Sequence, residues 1–113
     1  MSNKSFEELK ELVLEWADDK DLLHEENAEK QFMKFIEEVF EFKTEFDDKR
    51  RFVPACVDIN NLKLEMGDIF VTLIILCEDL EIDPVVCLEM AYKKISKRQG
   101  KTINGQFIKS EDL

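Results

Sequence analysis

The feature that most constrains the fold of this chain is an apolar stripe of helical period within residues 31–46. At about 100° per residue, one face of a helix collects six apolar side chains: Phe32, Phe35, Ile36, Val39, Phe42 and Phe46. Glu38 and Glu41 fall on the flank of this face, three positions apart. The segment therefore predicts an amphipathic helix with two neighbouring carboxylates beside its core face.

Like charges at this spacing destabilise a helix slightly unless a cation lies between them. For an isolated pair, the simpler interpretation is a solvated acidic face in which Lys34 is the ion-pair partner of Glu38. A second pair with the same spacing, Glu65 and Asp68, lies on the flank of another amphipathic segment. Two such pairs favour the convergence of four carboxylates, those of Glu38, Glu41, Glu65 and Asp68, on a bound cation.

Four helices are predicted, over residues 5–18, 28–48, 60–80 and 84–99. Ser5 and Glu8 have the spacing of a capping box at the start of the first helix, and Asn27 can cap the second. Residues 52–59 contain Pro54, which disfavours helix at the residue before it, so this segment is predicted to be a loop.

The fourth helix has a clear predicted start, with Asp83 as N-cap and Pro84 at the first helical position. Gly100 suits its C-cap. Beyond it, Asn104-Gly105 predicts a turn in a short extended arm or hairpin, and the last residues, 109–113, are expected to be loose.

Composition supports a single domain over residues 1–113, because 44% of the 113 residues are hydrophobic and only 3 are Gly and 2 are Pro. The expected fold class is all-α, an antiparallel bundle of about four helices with residues 102–113 as a C-terminal arm. The third predicted helix is apolar almost all round in its second half, which in so short a chain predicts a subunit interface. Oligomerisation is therefore expected to complete the bundle.

The net charge of -10 opposes binding to nucleic acid polymers and to anionic membranes. The end of the fourth helix is the exception, because five cations cluster there: Lys93, Lys94, Lys97, Arg98 and Lys101. One or two of them can complement the helix dipole. Five within a short stretch of an acidic chain also predict an anion site.

The three cysteines, Cys56, Cys77 and Cys87, lack CxxC spacing and lie in or near apolar runs. They are interpreted as buried free thiols in a reducing compartment. The first residues lack the apolar core of a signal peptide, and the longest apolar run, 69–77, is far shorter than the ~20 residues of a bilayer span. The expected localisation is cytoplasmic.

Trp16 and His24 are the two remaining side chains that could have a role in a site. Trp16 lies on the apolar stripe of the first helix, where a lone Trp is usually a core or interface residue, although it could also stack on a nucleotide base at a pocket rim. His24, the only histidine of the chain, has no second His or Cys nearby, and an exposed loop residue is the preferred interpretation.

An oxygen-only set of carboxylate ligands suits Mg²⁺ or Mn²⁺. A metal held there could polarise a phosphoryl oxygen and lower the pKa of a bound water. The basic end of the fourth helix would then bind the remaining phosphate charge. A di-iron carboxylate site would need Glu-x-x-His motifs, which this sequence lacks.

Four groups of residues follow one another in a characteristic order between residues 28 and 107. They are Gln31, Lys34, Glu37, Glu38 and Glu41; then Glu65 and Asp68; then Lys94, Lys97, Arg98, Gln99, Gly100 and Lys101; then Asn104, Gly105 and Phe107. In this order the chain closely resembles the MazG-like family of all-α nucleoside triphosphate pyrophosphohydrolases. As a short single domain, it is similar to the stand-alone phage and bacterial members.

The resemblance implies hydrolysis of an NTP or dNTP to the monophosphate and pyrophosphate by metal-activated water, in a homodimer or in a tetramer built from dimers. It implies three sets of site residues: Glu38, Glu41, Glu65 and Asp68 as Mg²⁺ ligands, Glu37 beside Glu38 in a catalytic role, and Lys34, Lys94 and Arg98 on the phosphates. Thr72 stands where some relatives have an aromatic residue, so base stacking is not implied at that position.

Two other classes of function remain open. One is a non-catalytic helical scaffold whose acidic stripes keep it in solution, which would not bind nucleotide in a Mg²⁺-dependent way. The other is a stress-regulatory module that acts by protein contact, and its mark would be an exposed hydrophobic groove unrelated to the carboxylates.

Overall fold

A computed structural model of the chain describes residues 3–51 and 59–113, which form four α-helices and a β-hairpin. The helices are α1 (Phe6–Asp19), α2 (Ala28–Arg51), α3 (Ile59–Asp79) and α4 (Pro84–Ile95). Strands β1 (Gly100–Ile103) and β2 (Gln106–Lys109) follow, and 3₁₀ turns lie at Glu25–Asn27 and Ser110–Asp112. The predicted mainly helical architecture is confirmed. The predicted loop at residues 52–59 lies outside the described residues except for Ile59, which begins α3.

The start of α1 is fixed by the predicted capping box. The Ser5 hydroxyl oxygen accepts a hydrogen bond from the Glu8 N–H at 3.1 Å, and Glu8 Oε1 accepts one from the Ser5 N–H at 3.3 Å. Both bonds satisfy backbone donors that a helix leaves unpaired at its first turn.

The start of α4 is tied to α1 by a buried lysine. Asp83 caps α4 by accepting a hydrogen bond from the Val85 N–H at 2.9 Å, and its other oxygen accepts one from Lys10 Nζ at 3.3 Å. Lys10 is only 5% exposed and also pairs with Glu7 at 2.7 Å. The capping bond to Val85 and the Lys10 ammonium together hold the pKa of Asp83 below its usual range.

The end of α4 differs from the prediction, because the helix stops at Ile95 rather than near Gln99. The N–H groups of Lys97 and Arg98 close short turns on the carbonyls of Lys94 and Ile95, and the chain then enters the hairpin. Gly100 is therefore the first residue of β1 and not a C-cap. A Cβ at Gly100 would collide with the carbonyl oxygen of Ile108 on the opposite strand, so glycine is needed there for close strand approach.

The predicted hairpin is confirmed. β1 and β2 are antiparallel with Ile103 opposite Gln106, and Asn104 and Gly105 have φ values of 51° and 79°, as a tight two-residue hairpin turn requires. The expected looseness of residues 109–113 is not what the structure shows. The Ser110 N–H donates to the Gln99 carbonyl at 2.8 Å, and Ser110–Asp112 form a 3₁₀ turn against the base of the hairpin.

The core lies where α1 and α2 pack on the second half of α3. Its buried apolar side chains are Ala17, Ile74, Ile75, Leu76 and Cys77. Helices α1 and α2 thus cover the second half of α3 from within the same chain, and the predicted subunit interface at this helix stays a prediction. None of the described helices has the length and apolar character needed to cross a membrane.

The cysteines only partly match the prediction. Cys77 is a buried free thiol as expected, whereas Cys87 is free but exposed, because none of the other described helices covers α4. Burial raises the pKa of the Cys77 thiol. Cys56 lies outside the described residues.

Candidate metal centre

Three carboxylates from two helices converge at one point. Glu38 on α2 and Glu65 and Asp68 on α3 each offer an oxygen, and these atoms all lie within 4.8 Å of one another. Oxygens bound to one Mg²⁺ or Ca²⁺ at about 2.0–2.6 Å are separated by at most about 5 Å. The three oxygens are thus already close enough to share one cation. They meet because both acidic pairs lie beside the apolar seam along which α2 and α3 pack.

Two of these carboxylates, Glu38 and Glu65, each have one buried oxygen. Glu38 is only 7% exposed, and Oε2 of Glu38 and Oε2 of Glu65 are buried without a hydrogen-bond partner among the described residues. Buried carboxylate oxygens are costly unless they are paired or bind a metal. A divalent cation fits this donor set, since all its ligands are hard oxygens and two of the three carboxylates have a buried oxygen without a hydrogen-bond partner among the described residues.

Glu41 lies next to this group without being one of the three converging residues. The charge of Glu38 and a hydrogen bond with it are the main reasons that the pKa of Glu41 is raised, and Glu65 adds to the effect. The charge of Lys34 lowers the pKa of Glu41 and so offsets part of this rise. The structure thus brings three of the four predicted ligands together and leaves Glu41 beside them, as a carboxylate whose pKa is raised by the charges of Glu38 and Glu65.

Lys34 and Glu37 lie at the open side of the site. Lys34 Nζ is 3.3 Å from Oε1 of Glu38 and 3.6 Å from Oε2 of Glu37. Its pKa is raised first by the hydrogen bond to Glu38. Glu37 itself is exposed and is not among the three converging carboxylates, so the single chain places it beside Lys34 rather than beside Glu65 and Asp68.

A pocket of about 480 Å³ adjoins the carboxylates. Nine residues line it: Trp16, Leu22, Gln31, Lys34, Glu38, Asp68, Val71, Thr72 and Ile75. Trp16, which is 51% exposed, stands on an apolar wall, while Lys34, Glu38 and Asp68 supply charge. The size is typical of a small-molecule site. The structure thus places the tryptophan and Lys34 at the same pocket as the carboxylates.

The rest of the apolar wall was not predicted from the sequence. Val71, Thr72 and Ile75 follow Asp68 at three, four and seven positions, the spacing of one helix face, so extending the flank of the acidic pair would have found them. The Thr72 hydroxyl donates to backbone carbonyls of Asp68 and Ile69. Leu22 comes from the connector between α1 and α2, and no periodic pattern marks it.

The predicted cations at and beyond the end of α4, unlike Lys34, are not part of this pocket in the single chain. Lys97 and Arg98 line a separate cleft of about 270 Å³ with residues of the hairpin, including Lys109. Lys94 is exposed on α4. His24 is exposed as expected, and its ring lies 2.5 Å from Asp21, which raises the pKa of His24.

Comparison of the chain with models of known protein families, with curated proteins and with solved structures found no match.

Proposed function

We propose that this protein is a Mg²⁺-dependent nucleoside triphosphate pyrophosphohydrolase, which converts an NTP or dNTP to the monophosphate and pyrophosphate. The observation that carries the proposal is the convergence of Glu38, Glu65 and Asp68, two of which have a buried oxygen without a partner among the described residues. This convergence lies beside a pocket with an aromatic wall and a lysine.

The donor set favours Mg²⁺, with Mn²⁺ as a possible substitute. Glu38, Glu65 and Asp68 would bind the ion, with Glu41 close enough to join them or to bind a second ion. Without a metal, this group of carboxylates would repel a triphosphate, because Lys34 alone cannot neutralise it. A bound Mg²⁺ would supply Lewis-acid chemistry, polarising a phosphoryl oxygen and lowering the pKa of a coordinated water.

The protein residues would bind and orient the substrate. Lys34 can donate to a phosphate oxygen while it remains near Glu38, and exposed Glu37 can accept a proton or orient a water beside it. The apolar wall with Trp16 suits a planar base, which would leave the phosphates at the charged end of the pocket. The pocket therefore suits a ligand with a flat, apolar group at one end and several negative charges at the other.

The family assignment is part of the same proposal. The EExxE and ExxD spacing, now combined with the convergence of three of its carboxylates, supports a MazG-like fold. The family implies a homodimer or a tetramer built from dimers, and exposed apolar side chains on α1 and α4 support an oligomer.

The proposal is tested by incubating the purified protein with each common NTP and dNTP and Mg²⁺, measuring pyrophosphate and orthophosphate separately. Pyrophosphate with matching monophosphate is expected for at least one nucleotide, and it should disappear with EDTA. Glu38→Gln should lose the activity, while Glu29→Gln, an exposed site on the same helix, should keep it. Failure of every nucleotide to be hydrolysed would refute the enzymatic proposal.

A further inference from the structure

The pocket beside the carboxylates is built in successive levels along α2 and α3. Its lining residues from these two helices include Gln31, Lys34 and Glu38 on α2, and Asp68, Thr72 and Ile75 on α3. The carboxylates of Glu38 and Asp68 converge, and the other lining residues precede Glu38 but follow Asp68. The two helices therefore run in opposite directions along the pocket. Gln31 lies at the level of Ile75, seven residues or about 10 Å along the helix from the carboxylate end.

The polar side chains nearer the carboxylates already have partners. Lys34 Nζ is 3.3 Å from Oε1 of Glu38, and the Thr72 hydroxyl donates to backbone carbonyls of α3. Gln31 differs from them, because its half-buried side-chain amide makes no hydrogen bond with the described residues. The NH₂ group and the carbonyl oxygen of Gln31 are thus both available to a ligand.

Apolar side chains make up the remaining lining of the pocket: Trp16, Leu22, Val71 and Ile75. Beyond Trp16 and Val71 the wall continues into an apolar groove of about 360 Å³, which Leu9, Leu12 and Val13 also line. A planar ring can stack on the face of Trp16, but the aliphatic side chains cannot pair with its polar edge. A polar group left unpaired in such surroundings costs binding energy, so Gln31 is the residue placed to satisfy that edge.

We propose that Gln31 determines recognition of the nucleotide base by hydrogen-bonding its edge, and that the amide turns over to pair with either cytosine or uracil. Given the proposed hydrolysis of nucleoside triphosphates, on which this assignment rests, the phosphates lie at the metal and the base lies at the far end of the pocket. The levels then follow the order of the nucleotide, with Glu38 and Asp68 at the phosphates, Thr72 near the sugar and Gln31 at the base.

The chemistry of the amide sets the expected range of substrates. Cytosine presents an amino donor at the position where uracil presents a carbonyl acceptor. Turning the amide of Gln31 by 180° exchanges the positions of its donor and its acceptor. One side chain can therefore pair with both bases, and the site should accept both the cytosine and the uracil nucleotide.

The base contact is tested by comparing CTP and UTP, or their deoxy forms if the parent hydrolyses only those, with inorganic tripolyphosphate, which has no base. Gln31→Leu removes both hydrogen-bonding groups, so kcat/KM for each nucleotide should fall roughly 5- to 100-fold. The constant for competitive inhibition by tripolyphosphate with Mg²⁺ should not change. Gln106→Leu, the same exchange at an exposed position on β2, should leave all three values unchanged. An equal loss for tripolyphosphate, or no loss for the nucleotides, would overturn the assignment.

The turning of the amide is tested with Gln31→Glu, which keeps the shape of the side chain but has only acceptors at neutral pH. The parent should hydrolyse the cytosine and uracil nucleotides with kcat/KM values within about tenfold of each other. The variant should shift this ratio toward cytosine by roughly tenfold, because the amino group of cytosine donates to a carboxylate and the carbonyl of uracil repels it. A parent ratio above about tenfold, or a ratio that the substitution leaves unchanged, would refute the turning amide.

The outcome for Gln31 can be separated from the outcome for the enzymatic function. Nucleotides hydrolysed equally well by the parent and by Gln31→Leu would refute the role of Gln31 and leave the enzymatic function standing. A parent that hydrolyses no nucleotide would refute the enzymatic function. Titration of Trp16 emission with the same nucleotides and Mg²⁺ would then decide the base contact, since Gln31→Leu should weaken binding by the same factor. A parent that binds no nucleotide would refute both.

Discussion

Lys34 and Glu38 lie one turn apart on α2, with the ammonium nitrogen 3.3 Å from one oxygen of a glutamate that is only 7% exposed. The other oxygen of Glu38 is buried without a hydrogen-bond partner among the described residues, and one carboxylate oxygen of Glu38 lies within 4.8 Å of oxygens of Glu65 and Asp68. One oxygen is thus neutralised by the protein itself, and the second is available to a cation. This division explains how a nearly buried carboxylate is tolerated at the edge of a pocket.

Glu38→Gln should abolish metal binding while leaving the metal-free fold intact or more stable. The change removes a ligand charge, and it also relieves the repulsion with Glu41 and the cost of a buried anionic oxygen. We expect hydrolysis to fall by at least about 100-fold, since even residues that only support a metal ligand commonly cost 10–100-fold. Rates are measured with Mg²⁺, and thermal melts in EDTA. Activity within a few fold of the parent would exclude Glu38 as a metal ligand. The matched control is Glu29→Gln, which should keep the parent activity.

The convergence of three of the four predicted carboxylates could be foreseen because it depends on local periodicity. Glu38 and Glu41 on α2, and Glu65 and Asp68 on α3, lie on the flanks of apolar stripes, and packing of the two stripes must bring those flanks together. The caps at Ser5 and Asp83 were predictable for the same reason, since they depend only on residues within one turn.

The position of the basic residues could not be predicted in the same way. Arg98 follows α4, and where α4 lies is decided by packing between distant segments, through Lys10 and its bond to Asp83. The exposure of Cys87 was mispredicted for this reason too, because an apolar pattern does not reveal whether the covering surface comes from the same chain. The early end of α4 reflects the hairpin, whose strand pairing begins at Gly100.

Trp16 offers a direct optical test of nucleotide binding, because it is the single tryptophan of the chain and lines the site pocket. Saturating nucleotide with a divalent cation should quench its emission or shift it. Trp16→Leu keeps the apolar wall and removes the stacking, which should raise KM by a factor of roughly 2–10, from about 0.5–1.5 kcal/mol of aromatic contact. Turnover should change little. Emission that stays constant at saturating nucleotide would exclude Trp16 from the binding site.

Asp79→Asn should stabilise the fold at neutral pH. Asp79 is 3% exposed at the end of α3, and neither of its oxygens has a hydrogen-bond partner among the described residues. Burial raises the pKa of Asp79, and the nearby backbone amide and imidazole of His24 offset only part of this shift. Because the folded state binds the proton more tightly than the unfolded state, ionisation of Asp79 costs stability as pH rises above the ordinary value of 3.8.

The expected gain at pH 7 is on the order of 1 kcal/mol, because the Asn amide has the same surroundings as the carboxylate but no charge to desolvate. The difference between variant and parent should shrink as pH falls and vanish below about pH 3.8, where the unfolded carboxyl is also protonated. Urea unfolding at pH 3.5 and pH 7 measures it. Glu78→Gln, an exposed neighbour, serves as control. Equal stability of Asp79→Asn and the parent at pH 7 would contradict the burial argument.

Substitutions of Arg98 can show whether the basic segment after α4 acts in catalysis or only in structure. A guanidinium can hold two phosphoryl oxygens at once, which a lysine cannot copy, and this matters most where charge builds up on the leaving pyrophosphate. Arg98→Lys should therefore lower turnover more than it weakens binding, and Arg98→Ala should lower both. Lys93→Ala, which removes an exposed ion pair with Glu89, should leave the kinetics unchanged. If Arg98 only complements the dipole of α4, its loss would cost about 0.3–1 kcal/mol of stability and leave turnover alone. Steady-state kinetics beside a thermal melt decide between the two, because a lowered melting temperature with unchanged turnover would assign Arg98 to structure.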